Sequence, residues 1–209
     1  ATLTWGAFRL VREPTPADAR AEVAQEVGSF PEIRKAFARG RPDRALAMID
    51  VLPPRQAGTP EALALRARAY LLTGKRDAAE RAARAAVATD PGQSEAWCTL
   101  GLVLQTRGQL AEAEEALDKS IAADTDAPGP LLARAKVRQE RGRQAEATED
   151  YLLYLMARPG DPAALGGRGA ALAALGRNEE ALKDLDAALA ANPRDGWLRY
   201  HRALVLDGL

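Results

Sequence analysis

Apolar residues recur along this chain at spacings of three and four, which is the pattern of a helix that buries one face. Between residues 94 and 127, a first apolar stripe consists of Trp97, Leu100, Gly101 and Leu104. A second stripe in the same segment consists of Ala113, Leu117 and Ile121. Gly108 lies between the two stripes, where a left-handed helix end favours a residue without Cβ. The pattern therefore predicts two amphipathic helices joined by a short turn.

The same pattern returns at a constant interval along the chain, and three columns of residues mark it. The first column contains only glycine: Gly40, Gly74, Gly108, Gly142 and Gly176. The second contains only alanine: Ala45, Ala79, Ala113, Ala147 and Ala181. The third contains only small residues: Ala67, Gly101, Ala135, Gly169 and Ala203. A period of about 34 residues is the length of one helix–turn–helix unit, so we predict a repeat array. Its units start at residues 26, 60, 94, 128 and 162, with a truncated unit at 196.

The repeating residues resemble the signature of the tetratricopeptide repeat (TPR) family. In the third unit the resemblance rests on the two apolar stripes, and the other units match with variations. In the second unit the matching residues are Leu63, Ala67, Tyr70, Ala79 and Pro91. In the fifth unit they are Leu165, Gly169, Leu172, Ala181, Leu185 and Pro193. The resemblance covers residues 26–209. It implies an all-α, right-handed superhelical solenoid of antiparallel helix pairs, with residues 1–25 as a short non-repeat extension.

Proteins similar to this one usually bind other proteins through the concave face of the superhelix, where exposed positions of the first helices point. By register, this groove contains Arg34, Phe37, Arg68, Leu71, Leu72, Leu102, Gln105, Lys136 and Gln139. In the fifth unit we expect a nearly bare face at Gly166, Ala170 and Ala173. Basic and apolar side chains together suit an extended peptide or an amphipathic helix with apolar and acidic residues. The alternative is that these residues are simply exposed on their helices.

Two known TPR binding modes do not fit the sequence. A carboxylate clamp for chaperone tails needs lysine and asparagine at set groove positions. Those positions hold Ala64, Arg68, Thr99, Gly129 and Ala133. An asparagine ladder is also absent, because the two asparagines, Asn178 and Asn192, lie outside the groove.

Four units place an arginine where the family usually has an apolar residue: Arg66, Arg134, Arg168 and Arg202. Two of these arginines are followed by an aspartate at one and the same interval, which is the step to the facing position on the partner helix. We therefore predict the interhelical ion pairs Arg134–Asp150 and Arg168–Asp184. We interpret them as structural, since a buried arginine needs a partner. A charged binding site is the alternative interpretation.

Both ends of the chain carry apolar residues that the repeats do not explain. The sequence ATLTWGAFRLV, with Trp5 and Phe8, has the composition of a strand, and a helix starting at Thr15 would cap the first repeat. The extended segment could be the remnant of a preceding domain, lie along the protein's own surface or pair with a partner. At the other end, a helix without its mate carries Trp197 and Tyr200. We expect contacts at both termini and some self-association.

Composition and charge exclude several classes of function. The chain has 29 basic and 29 acidic residues and a formal net charge of zero, which disfavours nucleic acid as a partner. No apolar run approaches the roughly 20 residues of a membrane span. The single cysteine, Cys98, and the single histidine, His201, cannot build a zinc site or a nucleophile–base pair. We therefore expect no catalytic residue, no metal and no cofactor.

The sequence thus predicts a non-enzymatic scaffold or adaptor that binds a protein or peptide segment in its concave groove and assembles a larger complex. One alternative is a structural subunit that contacts its partners, including a second copy, through its termini and convex face. Another is the TPR arm of a larger enzyme, whose catalytic domain would precede Ala1. The sequence favours the cytoplasm only slightly, and the periplasm remains open if a signal peptide has been removed. Alanine- and arginine-rich usage fits a GC-rich bacterium.

Overall fold

Residues 29–208 are described by the structure, which is a computed structural model. Within this range the chain forms twelve α-helices and no strand. The segments predicted as a strand and a capping helix, with Trp5 and Phe8, lie outside the described residues. The helices are α1 (Phe30–Ala38), α2 (Pro42–Asp50), α3 (Pro54–Ala57), α4 (Pro60–Leu72), α5 (Arg76–Thr89), α6 (Ser94–Thr106), α7 (Leu110–Ala123), α8 (Pro128–Glu140), α9 (Gln144–Ala157), α10 (Pro162–Ala174), α11 (Asn178–Ala191) and α12 (Gly196–Asp207).

Eleven of these helices form a stack of hairpins, and the short α3 lies in the connection between the first two hairpins. The hairpins are α1–α2, α4–α5, α6–α7, α8–α9 and α10–α11, and α12 is the first helix of a sixth unit. Each hairpin packs against the next, and the first helices also touch one another, as α4 touches α6 and α6 touches α8. The predicted all-α solenoid of helix pairs is therefore confirmed for the described residues.

Each hairpin turn contains one glycine of the repeated column in a left-handed conformation. The φ values are 66° at Gly40, 77° at Gly74, 75° at Gly108, 76° at Gly142 and 75° at Gly176. A Cβ at these positions would meet nothing within 4 Å, so conformation rather than space selects glycine. The left-handed residue lets the next N–H bond back to the helix, as from Gln109 to the carbonyl of Leu104 at 3.0 Å. The turn therefore ends one helix and fixes the direction of the next.

Capping residues fix the starts of several first helices. The Thr59 hydroxyl accepts a hydrogen bond from the backbone N–H of Ala62, and proline occupies the first position of α4. Asp161 accepts from two backbone N–H groups of α10, at 2.9 and 3.1 Å. Asp195 caps α12 in the same way. These local signals set where each first helix begins, and therefore which of its residues face the groove.

Small residues let the two helices of a hairpin approach closely. A Cβ added at Gly101 would lie 2.6 Å from Leu117 Cγ and 3.2 Å from the Ala113 carbonyl oxygen. Gly169 meets Leu185 and the Ala181 carbonyl in the same way, at 2.9 and 3.1 Å. Such distances leave no room for even a methyl group. At these two positions of the small column, glycine is therefore a packing requirement.

A bulky side chain fills the space between the fourth and fifth units. Tyr151 is 1% exposed, and a Cβ at Gly167 would lie 2.5 Å from its ring. Its hydroxyl donates a hydrogen bond of 2.9 Å to Gln139 Oε1, so the buried polar atom is satisfied. Packed layers interdigitate when a large side chain on one layer faces a small residue on the other. The joint between these two units is thus mainly apolar.

Candidate functional site

The candidate site is the shared surface of the first helices, because their exposed side chains contact one another across units. Arg34 of α1 reaches Glu61 of α4 and Glu95 of α6. Farther along, Gln105 of α6 donates a hydrogen bond to Glu140 of α8 at 2.6 Å. These contacts join four first helices into one face, which is the predicted groove.

The first part of this face is an ionic cluster that we name the Arg34–Arg68 cluster: Arg34, Phe37, Glu61, Arg68 and Glu95. Arg34 Nη2 is 3.1 Å from Glu61 Oε1 and 2.7 Å from Glu95 Oε2. Arg68 Nη1 is 3.7 Å from Glu95 Oε1, and its guanidinium carbon lies 5.0 Å from the centre of the Phe37 ring. Arginine over an aromatic face is a favourable cation–π arrangement. The sequence placed Arg34, Phe37 and Arg68 together but missed both glutamates.

The charges in this cluster stabilise one another. Burial disfavours the charged form of Arg34, yet the pKa of its guanidinium is raised, because hydrogen bonds and attraction from Glu95 and Glu61 outweigh it. The formal charge of the two arginines and two glutamates is zero. The cluster is therefore self-neutralised, and an acidic ligand would compete with the chain's own carboxylates.

The middle of the groove is more apolar, and several of its polar groups already have partners. Leu72 is 56% exposed, whereas Leu71 and Leu102 are half-buried. Gln139 accepts a hydrogen bond from the Tyr151 hydroxyl, and Gln105 donates one to Glu140. Lys136 is exposed and forms no ion pair with residues 29–208. The remaining predicted groove residues thus offer leucine side chains and one unpaired cation.

The far end of the groove differs from the expectation of a bare face. Ala170 and Ala173 do line an open depression of about 470 Å³, together with His201 and Leu204. Gly166, however, is buried under α12, since a Cβ there would lie 2.4 Å from Leu198 Cδ2. The expectation for Gly166 was wrong because the sixth unit covers it. A glycine at this position makes room for a neighbouring helix rather than for a ligand.

His201 of α12 lines this depression and contacts two aromatic rings of the same helix. The His201 ring lies 4.1 Å from the Trp197 ring and 5.5 Å from the Tyr200 ring, measured between centroids. Burial lowers the pKa of the His201 imidazole, which favours its neutral form. Trp197, Tyr200 and Leu204 are 48%, 61% and 50% exposed. The residues predicted as C-terminal contacts therefore do form an apolar surface.

The structure brings both predicted arginine–aspartate pairs together. Arg134 donates from Nε and Nη2 to Asp150 at 3.0 and 2.7 Å, and Asp150 is 1% exposed. Arg168 donates from the same two atoms to Asp184 at 2.6 and 2.8 Å. Both pairs are bidentate, which is the strongest geometry for arginine and carboxylate. They lie between the two helices of a hairpin, where they fix its register.

The sequence prediction missed a second set of pairs in the opposite direction. Arg134 also contacts Asp118, which precedes it by the same interval at which Asp150 follows it. The same backward step joins Arg66 to Asp50 and Arg202 to Asp186. The signal was present in the sequence, because the step has the same length in both directions. It was missed since only the forward direction was considered.

Buried Glu114 holds the third and fourth units together. It is 5% exposed and accepts hydrogen bonds from Arg138 at 2.8 Å, from Arg143 at 2.7 Å and from Arg141. Burial alone would raise the pKa of this carboxyl group, but the three arginines lower it. The corresponding contact one unit earlier is Glu80 with Arg107, at 2.7 Å. These ionic contacts therefore join neighbouring units of the array.

The described residues show no sign of a metal site or a membrane span. Among residues 29–208, no three histidine, cysteine, aspartate or glutamate side chains are grouped so that they could hold a metal ion. No helix in the same range is long and apolar enough to cross a bilayer.

Cys98 is expected to be unreactive in the folded protein. It lies half-buried beside Glu95, and burial raises the pKa of its thiol to about 11. At pH 8 the thiolate fraction should then be on the order of a hundredfold below that of an unfolded cysteine, whose pKa is about 8.5. Iodoacetamide labelling followed by mass spectrometry should be that much slower in buffer than in urea. Equal rates would place the thiol in solvent, and the signal is unambiguous because the chain has one cysteine.

Comparisons with known proteins agree with this architecture. Residues 64–128 match a family model described as tetratricopeptide repeat. No curated protein sequence matches the chain. Among solved structures, the thermophilic TPR protein TTC0263 of Thermus thermophilus is similar over 88% of this chain and 98% of its own, with 23% identity and a TM-score of 0.70.

The descriptions of two further solved structures mention a bound peptide or a peptide-binding site. YrrB, described as a TPR protein with an unusual peptide-binding site, matches 88% of this chain and 97% of its own, with 18% identity and a TM-score of 0.62. The first TPR of Spaghetti (RPAP3), bound to the HSP90 peptide SRMEEVD, matches 57% of this chain and 94% of its own, with 24% identity and a TM-score of 0.54. At these identities the similarity establishes the fold. The described residues therefore have the solenoid fold of tetratricopeptide repeat proteins, and residues 64–128 match the sequence of the repeat itself.

Proposed function

We propose that this protein is a non-enzymatic scaffold that binds a segment of another protein in the groove formed by its first helices. The observation that carries the proposal is the continuous face on which α1, α4, α6 and α8 present both charged and apolar side chains. Peptide-bound or peptide-binding relatives of the same fold support it. The scaffold role follows from the array itself, because a solenoid offers a long surface with distributed stability.

The ligand class follows from what the groove leaves open. Leu71, Leu72 and Leu102 would accept apolar side chains, and Lys136 would accept a carboxylate. The depression beside Leu204 would hold one further apolar side chain. A peptide, or one face of an amphipathic helix, that alternates apolar and acidic residues would match these leucine side chains, Lys136 and the depression.

Charge reversal inside the groove is expected to abolish binding of the partner. The wild type and the Arg68→Glu/Lys136→Glu double variant would be immobilised and exposed to lysate of the source organism, and captured proteins would be identified by mass spectrometry. The matched control is Arg81→Glu/Lys183→Glu, which makes the same charge change at exposed positions of the second helices α5 and α11. A protein captured by the wild type and the control, but reduced at least about tenfold with the groove variant, supports groove binding.

A structural subunit is the second candidate function, and exposed apolar residues outside the groove favour it. Leu152, Leu153 and Met156 of the second helix α9 are 50%, 49% and 71% exposed. Trp197 and Tyr200, on α12 at the end of the array, are exposed as well. If both double variants capture the same partner as the wild type, the groove proposal fails. The contact would then lie on the convex face, where a Leu152→Glu/Met156→Glu variant would lose it, or at α12, where a Trp197→Glu variant would lose it.

A further inference from the structure

We infer that Arg34, Arg68 and Phe37 form a carboxylate-binding subsite of the groove, and that Glu95 occupies this subsite until a carboxylate of the bound segment replaces it. The inference deepens the proposed function and rests on it. It assigns a chemical class to one position of the ligand: an aspartate, a glutamate or a C-terminal carboxylate that lies across the first and second units.

The geometry of Glu95 is that of a bound ligand carboxylate. Its Oε2 is 2.7 Å from Arg34 of α1, and its Oε1 is 3.7 Å from Arg68 of α4. One carboxylate from the third unit therefore bridges arginines of the first two units, with one oxygen directed to each. Two guanidinium groups that share one carboxylate form a site for any carboxylate that can reach them.

The arginines are accessible from the open side of the groove. Their side chains are 46% and 47% exposed, whereas that of Glu95 is 24% exposed. The longer contact, 3.7 Å from Arg68, leaves room for a shorter one with a ligand. Phe37 lies 5.0 Å under the Arg68 guanidinium and holds its plane, so the donors at its edge are preorganised.

Glu95 can be displaced without leaving a charge that is both unpaired and shielded from water. Partly exposed ion pairs contribute little net stability, because water solvates both partners when they separate, and Arg34 keeps its second contact with Glu61 at 3.1 Å. Glu95 also lies in the first turn of α6, where the positive end of the helix dipole stabilises a carboxylate. Burial of apolar ligand residues against Leu71 and Leu72 would favour the exchange.

Removing the internal carboxylate should therefore strengthen binding of an acidic peptide. The probe is a fluorescein-labelled peptide of alternating leucine and glutamate, blocked at both ends, with its glutamine counterpart as the uncharged control. Fluorescence anisotropy would compare the wild type with Glu95→Gln. We expect Glu95→Gln to bind the acidic probe about three- to tenfold more tightly and the glutamine probe no differently.

Two further variants separate this subsite from a general change of charge. Glu115→Gln removes a carboxylate from an exposed position of the second helix α7 and should leave the affinity within about twofold of the wild type. Adding Arg34→Gln to Glu95→Gln should remove the gain. Equal binding by Glu95→Gln and Glu115→Gln, or a gain that survives the loss of Arg34, would overturn the inference.

Failure of this inference and failure of the proposed function have different signatures. If no variant binds the acidic probe but the lysate partner is still lost on groove charge reversal, groove binding stands and the carboxylate subsite is wrong. If the partner survives charge reversal, the proposed function itself fails. Thermal melting of each variant by circular dichroism would show that the substitutions leave the fold intact.

Discussion

Replacing Asp150 by alanine is expected to lower the free energy of unfolding by about 3 kcal/mol, because Arg134 and Arg138 lose the buried carboxylate that they share and keep only Asp118 and Glu114 as partners. The Asp150 side chain is 2% exposed and accepts hydrogen bonds from Arg134 and Arg138. Those two arginines are only 16% and 15% exposed, so water cannot replace the lost carboxylate. Urea denaturation followed by circular dichroism would measure the loss.

Asp118 provides a matched control for this prediction. It pairs with the same Arg134 and stands at the same separation in the sequence, but its side chain is 51% exposed. Asp118→Ala should therefore cost no more than about 1 kcal/mol. If the two variants lose the same stability, burial does not determine the strength of these pairs and the structural interpretation of Asp150 fails.

Gly101→Leu is expected to destabilise the protein by roughly 1–3 kcal/mol through overpacking. The first added carbon would already lie 2.6 Å from Leu117 Cγ, and the Ala113 backbone behind it cannot move without separating the hairpin. Repeat arrays do not always unfold in one step, so the midpoint of each transition should be followed by circular dichroism and by intrinsic fluorescence.

Gly196→Leu is the matched control, because it makes the same change at an exposed position of the first helix α12. A Cβ at Gly196 would meet nothing within 4 Å, and its φ is not in the left-handed region. Leucine is a better helix former than glycine, so this variant should be unchanged or stabilised by up to about 1 kcal/mol. An unchanged midpoint for Gly101→Leu would instead mean that the small column does not mark the contact between paired helices.

Most of the fold could be predicted because its determinants are local. The turn glycines and the capping residues act within a few positions of themselves, so a constant repeat period carries them through the array. The Arg134–Asp150 pair was predictable for a related reason. Its two helices are joined by the short turn 141–143, which fixes their register.

The groove was harder to predict because its electrostatics depend on contacts between distant units. The partners of Arg34 are 27 and 61 residues away in the sequence. Their distances depend on how far one hairpin is rotated against the next, and no local pattern records that angle. Gly166 was misplaced for the same reason, since only the packing of α12 shows that this position is covered.

The joints between units change their chemistry along the array. Where the second unit meets the third, and the third meets the fourth, an arginine of one turn pairs with a glutamate of the preceding unit. The corresponding positions at the next joint are Thr148 and Leu175, which cannot form an ion pair, and at this joint the Tyr151 ring packs against Gly167 instead. Dissolved ions weaken partly exposed charge pairs but do not screen apolar contacts. Ionic strength should therefore loosen the two joints that contain partly exposed pairs, Arg107–Glu80 and Arg202–Asp186, more than the apolar joint at Tyr151 that lies between them, and so change how evenly the array holds a segment along its length.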